Sequence, residues 1–119
     1  MALDITGLDN RIFKAFSETS TRRYIFVCNL DTNVSRWSPN AVDYFGLEGE
    51  YIYDFGSSWE TLIHPSDVEI YRKDISAFFA GKKKNHYAEY RVRNAEGEYV
   101  FVTCRGIILK GENGESDLF

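Results

Sequence analysis

The side chains able to do chemistry are few and scattered. His64 and His86 are the only two histidines, and Cys28 and Cys104 the only two cysteines. Neither histidine lies in a motif such as His-Glu-x-x-His, and the cysteines do not form Cys-x-x-Cys, so the spacing that builds a metal site or an activated nucleophile is missing. His64, ahead of Pro65, reads as a hydrogen-bonded loop residue. Asp67 and Glu69 read as charges at a helix start, where the macrodipole favours them, rather than as a catalytic pair of carboxylates. No glycine-rich phosphate loop follows a strand, and Lys82 to Lys84 reads as a solvated loop. A small enzyme of cone-like α+β fold would need a cleft holding a perturbed acid or base, and no spacing here calls for one.

The departure from an ordinary composition lies in the rings. Nine Phe, eight Tyr and two Trp make 16% of 119 residues, more than one core of that size needs, so some should line a cavity or an interface. The formal net charge of -4 supplies no basic field for a nucleic-acid backbone, which excludes nucleic acid as the expected partner. The first twenty residues lack the apolar block of a secretory signal. The longest apolar run, Tyr24 to Cys28, is far short of the roughly 20 residues that span a bilayer. Two cysteines far apart in the chain read as reduced structural thiols, and the cytoplasm is the expected compartment.

The elements that must position these residues follow from periodicity and punctuation. Ile5, Leu8, Ile12 and Phe16 recur at helical spacing and predict an amphipathic helix over Asp9 to Ser17, with a start as early as Asp4 allowed. Such a helix either covers an open edge of the core or serves dimerisation and signal entry. Arg23 to Leu30 is rich in β-branched and aromatic residues and predicts a strand; Asp31-Thr32-Asn33 turns the chain and Val34 to Trp37 pairs back. Ser38-Pro39 opens a short helix that Gly46 stops. Glu48 to Ser58 reads as irregular, with turns of helix around Trp59 to Ile63. Ser66-Asp67-Val68-Glu69 reads as a capping box ahead of the longest helix, whose apolar positions are Val68, Tyr71, Ile75, Phe78 and Phe79.

Beyond the lysine loop, Asn85 to Arg93 alternates, with His86, Ala88, Tyr90 and Val92 on one face. After the Ala95-Glu96-Gly97 turn a strand is predicted from Glu98 to Lys110, with Val100, Val102 and Cys104 facing one way and Tyr99, Phe101 and Ile107 the other. Asn113-Gly114 is a hairpin signal, so Ser116 to Phe119 should begin a further strand. Helices grouped on one side of an antiparallel sheet of about five strands make an α+β architecture.

Three segments in this order resemble a PAS domain of the bacterial subtype found beside signalling output modules. Trp37-Ser38-Pro39-Asn40-Ala41-Val42-Asp43-Tyr44-Phe45-Gly46-Leu47 resembles the family's passage from second strand to helix. Trp59 with Leu62-Ile63-His64-Pro65-Ser66-Asp67 resembles its His-Pro-Asp-Asp element, Ser66 standing for the first Asp. Tyr90-Arg91-Val92-Arg93 followed by Glu96-Gly97 resembles its Tyr-Arg-Val stretch and Asp-Gly turn, with Glu96 for Asp, and Phe101 stands where a Trp is usual. The resemblance covers Arg23 to Phe119, leaving residues 1–22 as an N-terminal helix and linker.

The resemblance implies a last strand in the middle of the sheet, between the first strand and the strand before it. The chain has only Ser116 to Phe119 for that strand, so either a shortened central strand or completion by a neighbouring chain is expected. The same order sets Cys28 and Cys104 about 10 Å apart, too far for a disulfide. The family's haem proteins often ligate iron through a His on the long helix, and its light sensors bond a pigment through a Cys in the helical half. Ser66 to Ala80 holds no His and Ser38 to Ala80 no Cys, so neither haem by that route nor covalent flavin is expected, and the cofactor is left unspecified.

By that likeness the function expected is a non-catalytic sensory module in a homodimer, controlling a covalently attached output domain, first a GGDEF diguanylate cyclase and second a histidine kinase. The alternative is a pure interaction module with no small-molecule ligand. The candidate pocket residues are Trp37, Phe45, Trp59, Phe78, Val102 and Cys104; the candidate dimer surface is Ile12, Phe16, Tyr99, Phe101 and Ile107.

Overall fold

The structure is a computed structural model that describes residues 6–7, 9–19, 23–111 and 117–119. The chain forms two compact units, residues 1–55 with 109–119, and residues 56–108. Helix α1 (Asn10–Thr19), strands β1 (Phe26–Asn29) and β2 (Val34–Trp37), helix α2 (Pro39–Phe45), strand β3 (Tyr51–Tyr53) and helix α3 (Phe55–Leu62) come first. Helix α4 (Val68–Phe79) and strands β4 (His86–Arg93) and β5 (Tyr99–Gly106) follow. The α+β class and the antiparallel pairing are as expected, with the five strands divided between a β1-β2-β3 sheet and a β4-β5 pair. No helix among the described residues is long and apolar enough to cross a membrane.

In the first unit the β1–β2 turn is built by one side chain. Asn29 Oδ1 accepts from the amides of Asp31 and Thr32, while Asn33 takes the left-handed conformation that closes the loop at φ 58°. Rings fill the space beside these strands: Trp37 stacks on Phe26 at 4.8 Å and meets Phe55 at 4.1 Å, and Phe26 meets Phe119 edge-on at 5.4 Å. Residues 117–119 lie along the free edge of β1, where Cys28 and Phe119 exchange both backbone hydrogen bonds. On the other side Leu118 exchanges both with Leu109, so this three-residue segment is paired on two edges. The Asn113-Gly114 hairpin and the Ser116 strand start lie outside the described residues, as do Asp4, Ile5 and Leu8 of the N-terminal reading.

Helix α1 forms where its sequence predicts but buries a different face. Phe13 is 2% exposed, whereas Ile12 and Phe16 are exposed. The ring of Phe13 lies 4.5 Å from the guanidinium carbon of Arg36 on β2. Asp9 holds the helix entrance by accepting the Arg11 amide at 2.8 Å and pairing with the Arg11 guanidinium at 3.0 Å, which holds the Asp9 carboxyl at about 2.

Two capping expectations are corrected. Ser38 flanks α2, but its hydroxyl makes no cap bond; it accepts the Ile25 amide at 3.1 Å and donates to Asn40, stitching β1's entrance to the helix start. Gly46 ends α2 in the left-handed conformation, as its type allows. At α4 the cap position belongs to Asp67, not Ser66, and the capping box does not form. Glu69 instead reaches Arg72 at 3.2 Å. β3 is a strand where the sequence reads as irregular, and β5 stops at Gly106, four residues before the expected end at Lys110.

Candidate functional site

In the unit of residues 56–108, α4 packs on β4, whose inward residues are His86, Ala88, Tyr90 and Val92, all buried. β4 and β5 pair in full register from His86 opposite Gly106 to Arg93 opposite Tyr99, which sets Tyr90 against Val102 and Ala88 against Cys104. The inward face of β5 is therefore the Val100, Val102, Cys104 row, half-buried, and the outward face carries Tyr99, Phe101, Thr103 and Arg105. Both faces match the alternation in the sequence.

A chain of polar groups runs through this interior. Trp59 on α3 donates its indole N–H to the Tyr90 hydroxyl at 2.8 Å. The Cys104 thiol is a neighbour of the Tyr90 hydroxyl. Burial pushes both the Tyr90 hydroxyl and the Cys104 thiol upward, so each keeps its proton; burial likewise pushes Tyr71, whose ring meets Tyr90 edge-on at 5.7 Å, to about 12. An inert, protonated Cys104 suits non-covalent contact and not nucleophilic chemistry.

Deeper along α4 a second polar group appears. His86, 1% exposed, lies with Nδ1 2.6 Å from Asp74 Oδ2; since an ionised carboxylate only accepts, the ring proton sits on Nδ1. Asp74 also accepts the Tyr87 amide at 2.9 Å and the Lys83 ammonium. The rings of Tyr71 and Phe78 border His86 at 6.1 Å each. Among the described residues no cluster of three His, Cys, Asp or Glu could hold a metal ion.

The outer edge of β4 is covered by the segment before α4. Ile63 bridges Val92, and His64 donates its amide to the Arg91 carbonyl at 2.9 Å. Asp67 then grips Arg91 three times: its carboxylate accepts the Arg91 amide and Nε at 2.9 and 2.8 Å and Nη2 at 2.9 Å. His64 accepts the Ser66 amide through Nδ1, the loop role expected of it, and its ring meets Tyr99 at 4.8 Å. Two of the three segments behind the family resemblance are thus joined by one ion pair, Asp67 with Arg91.

The Arg91 guanidinium and amide hold the Asp67 carboxyl at about 2, below the ordinary carboxylate range. A carboxyl depressed on folding stabilises the fold above its unfolded range and loses that contribution as the pH falls through about 2. Asp67→Asn is therefore expected to lower the melting temperature at neutral pH and to make it less dependent on acid. Circular-dichroism melts from neutral pH downward check this, and superimposable curves for the two proteins would remove the pair from any structural role.

The six candidate pocket residues are divided between the two units. Trp59, Phe78, Val102 and Cys104 belong to the unit of residues 56–108, with Trp59 hydrogen-bonded to Tyr90. Trp37 and Phe45 belong to the other unit, where Trp37 packs with Phe26 and Phe55, and Phe45 meets Tyr24 at 5.1 Å. Of the candidate surface residues, Ile12 is 48%, Phe16 60%, Tyr99 45%, Phe101 78% and Ile107 53% exposed. Sequence reasoning missed Tyr90, Tyr71, Asp74 and Arg36 as site residues; only the inward phase of β4 could have flagged Tyr90.

A family model described as PAS fold matches residues 34–119. Among solved structures, this chain is similar to the sensory box histidine kinase/response regulator from Burkholderia thailandensis E264, with a TM-score of 0.62 and 20% identity, over 89% of this chain and 77% of that one. At that identity the likeness is one of fold. No curated protein matches.

Proposed function

Because the chain belongs to the PAS fold family, we propose that it is a cytoplasmic sensory module of a bacterial signal-transduction protein, which changes the activity of an attached output domain and catalyses nothing itself. The observation that carries this reading is the outward face of β5. Tyr99 and Phe101 stand two residues apart on it, Phe101 is 78% exposed, and Ile107 continues the same phase. Rings side by side on a solvated sheet face are the mark of a surface that meets another protein. The module pairs with a second copy through this face, and Ile12 and Phe16 on the exposed side of α1 supply a further apolar contact.

Signalling in this reading is a shift between two arrangements of the dimer, driven by whatever binds one arrangement better than the other. The side chains proposed to meet a small-molecule ligand are Trp59, Phe78, Val102 and Cys104 in one unit and Trp37 and Phe45 in the other. The output domain is a GGDEF diguanylate cyclase, with a histidine kinase as the alternative; the name of the structurally similar protein supports the second.

One observation favours the rival reading, an interaction module without a ligand. Trp59 and Tyr90 serve each other's polar groups, so that part of the interior asks little of a bound molecule. Native mass spectrometry of the purified chain separates the two: a stoichiometric small molecule supports the ligand, and a bare mass supports the rival. The surface has its own test. Phe101→Glu, at an exposed position, is expected to weaken self-association by at least about tenfold in sedimentation velocity. Unchanged self-association would remove this face from the dimer.

A further inference from the structure

The first unit holds a groove of about 480 Å³ between α1, β2 and the residue before β3. Its lining includes Phe13, Lys14, Ser17 and Glu18 from α1, Arg36 from β2, and Glu50. The volume is that of a small-molecule pocket. Arg36 forms its inner wall. The side chain is 6% exposed, its Nη1 donates to Asn10 at 2.7 Å, and the guanidinium lies between the rings of Phe13 and Tyr51 at 4.5 and 5.2 Å. The contact of Arg36 Nε with Glu50 is long for a charge-assisted bond at 3.4 Å, and the Glu50 side chain is 40% exposed. Ser17, one turn from Lys14, has a buried hydroxyl with no hydrogen-bond partner among the described residues.

The charges lining this groove cancel: Lys14 and Arg36 against Glu18 and Glu50. A simple anion would meet the two glutamates, and a simple amine would meet the two cations. Only a molecule with both signs is matched on every side, and Phe13 offers an apolar wall to the rest of it. We propose that this groove binds a small zwitterion of the α-amino-acid class, its carboxylate held by the Lys14 ammonium and the Ser17 hydroxyl and its ammonium by Glu50 and Glu18. The site lies within the unit of residues 1–55 and 109–119 and is separate from the Trp59, Tyr90 and Cys104 interior.

The test is titration calorimetry of the whole chain with the proteinogenic L-amino acids, followed by the decarboxylated and deaminated analogues of the tightest binder. Saturable binding is expected for the amino acid, and each one-ended analogue should bind at least about tenfold more weakly. Lys14→Gln, at an exposed position, should weaken the amino acid about tenfold and leave the amine analogue unchanged, while Lys14→Arg restores binding. Glu50→Gln should show the converse pattern with the acid analogue, in protein whose melting curve is checked first. No saturable binding by any amino acid, equal affinity for the one-ended analogues, or affinity unmoved by Lys14→Gln would each overturn the site. None of these outcomes bears on self-association through Phe101, so the two readings fail separately.

Discussion

Tyr90→Phe is expected to cost this protein about 1–3 kcal/mol, because it deletes the buried acceptor of the Trp59 indole N–H. The hydroxyl accepts from Trp59 Nε1 at 2.8 Å, at a residue 1% exposed where water cannot replace it. Trp59→Ala should cost more, about 3–5 kcal/mol, since it removes a large buried ring along with the donor. Trp59→Phe isolates the hydrogen bond from the ring. In a double-mutant cycle of Trp59→Phe and Tyr90→Phe the second substitution should cost clearly less in the background of the first. Urea unfolding measures each value. Full additivity, or a Tyr90→Phe protein as stable as the parent, would mean that the two groups are not coupled.

The coupling could not be read from spacing, because Trp59 and Tyr90 are 31 residues apart and neither type announces the other. The parts that were legible are those where one periodicity governs a whole element. β4 and β5 alternate without interruption, so their inward and outward faces are those the sequence implies, and α4 runs through its helical repeat to Phe79. Ser38-Pro39 and Gly46 bracket α2 because both signals act locally.

What failed was decided by tertiary partners. Val34-Ser35-Arg36-Trp37 shows no alternation from which the burial of Arg36 could be read, yet α1 lies beside it and Arg36 is 5% exposed. The same packing selected Phe13 over Ile12 and Phe16, since only Phe13 faces the guanidinium. The capping box at Ser66 lost to Arg91: the Asp67 carboxylate gains three charge-assisted bonds there, more than a cap bond offers. β3 is three residues long with two exposed tyrosines, too short for any alternation to show. The surplus of rings divides among the packed interiors of the two units, the exposed pair Tyr99 and Phe101 on β5, and exposed rings elsewhere, Phe16 and Tyr53 among them.

Asp74→Ala is expected to lower stability by about 3 kcal/mol at neutral pH, because this one carboxylate holds the start of β4 to the middle of α4. Its removal strips the His86 Nδ1–H of its acceptor, frees the Tyr87 amide and releases Lys83. Asp74→Asn keeps one oxygen and should recover part of the loss. The acid dependence follows from the same contacts. Burial holds His86 below the ordinary imidazole range, with Asp74 opposing it. For Asp74 burial acts upward, but the Lys83 ammonium, the Tyr87 amide and His86 outweigh it and hold the carboxyl below the ordinary range. Both groups therefore take up protons more readily in the unfolded chain. The stability they confer is complete above the ordinary imidazole range, and it declines as the pH falls through that range and then through the carboxylate range. In Asp74→Ala the opposing carboxylate is gone, so His86 resists its proton more strongly and the first decline should become larger. Urea unfolding between about pH 8 and pH 5 tests this directly. A variant whose stability is flat over that interval would show that His86 does not titrate against burial, and that the acid dependence does not arise where α4 meets β4.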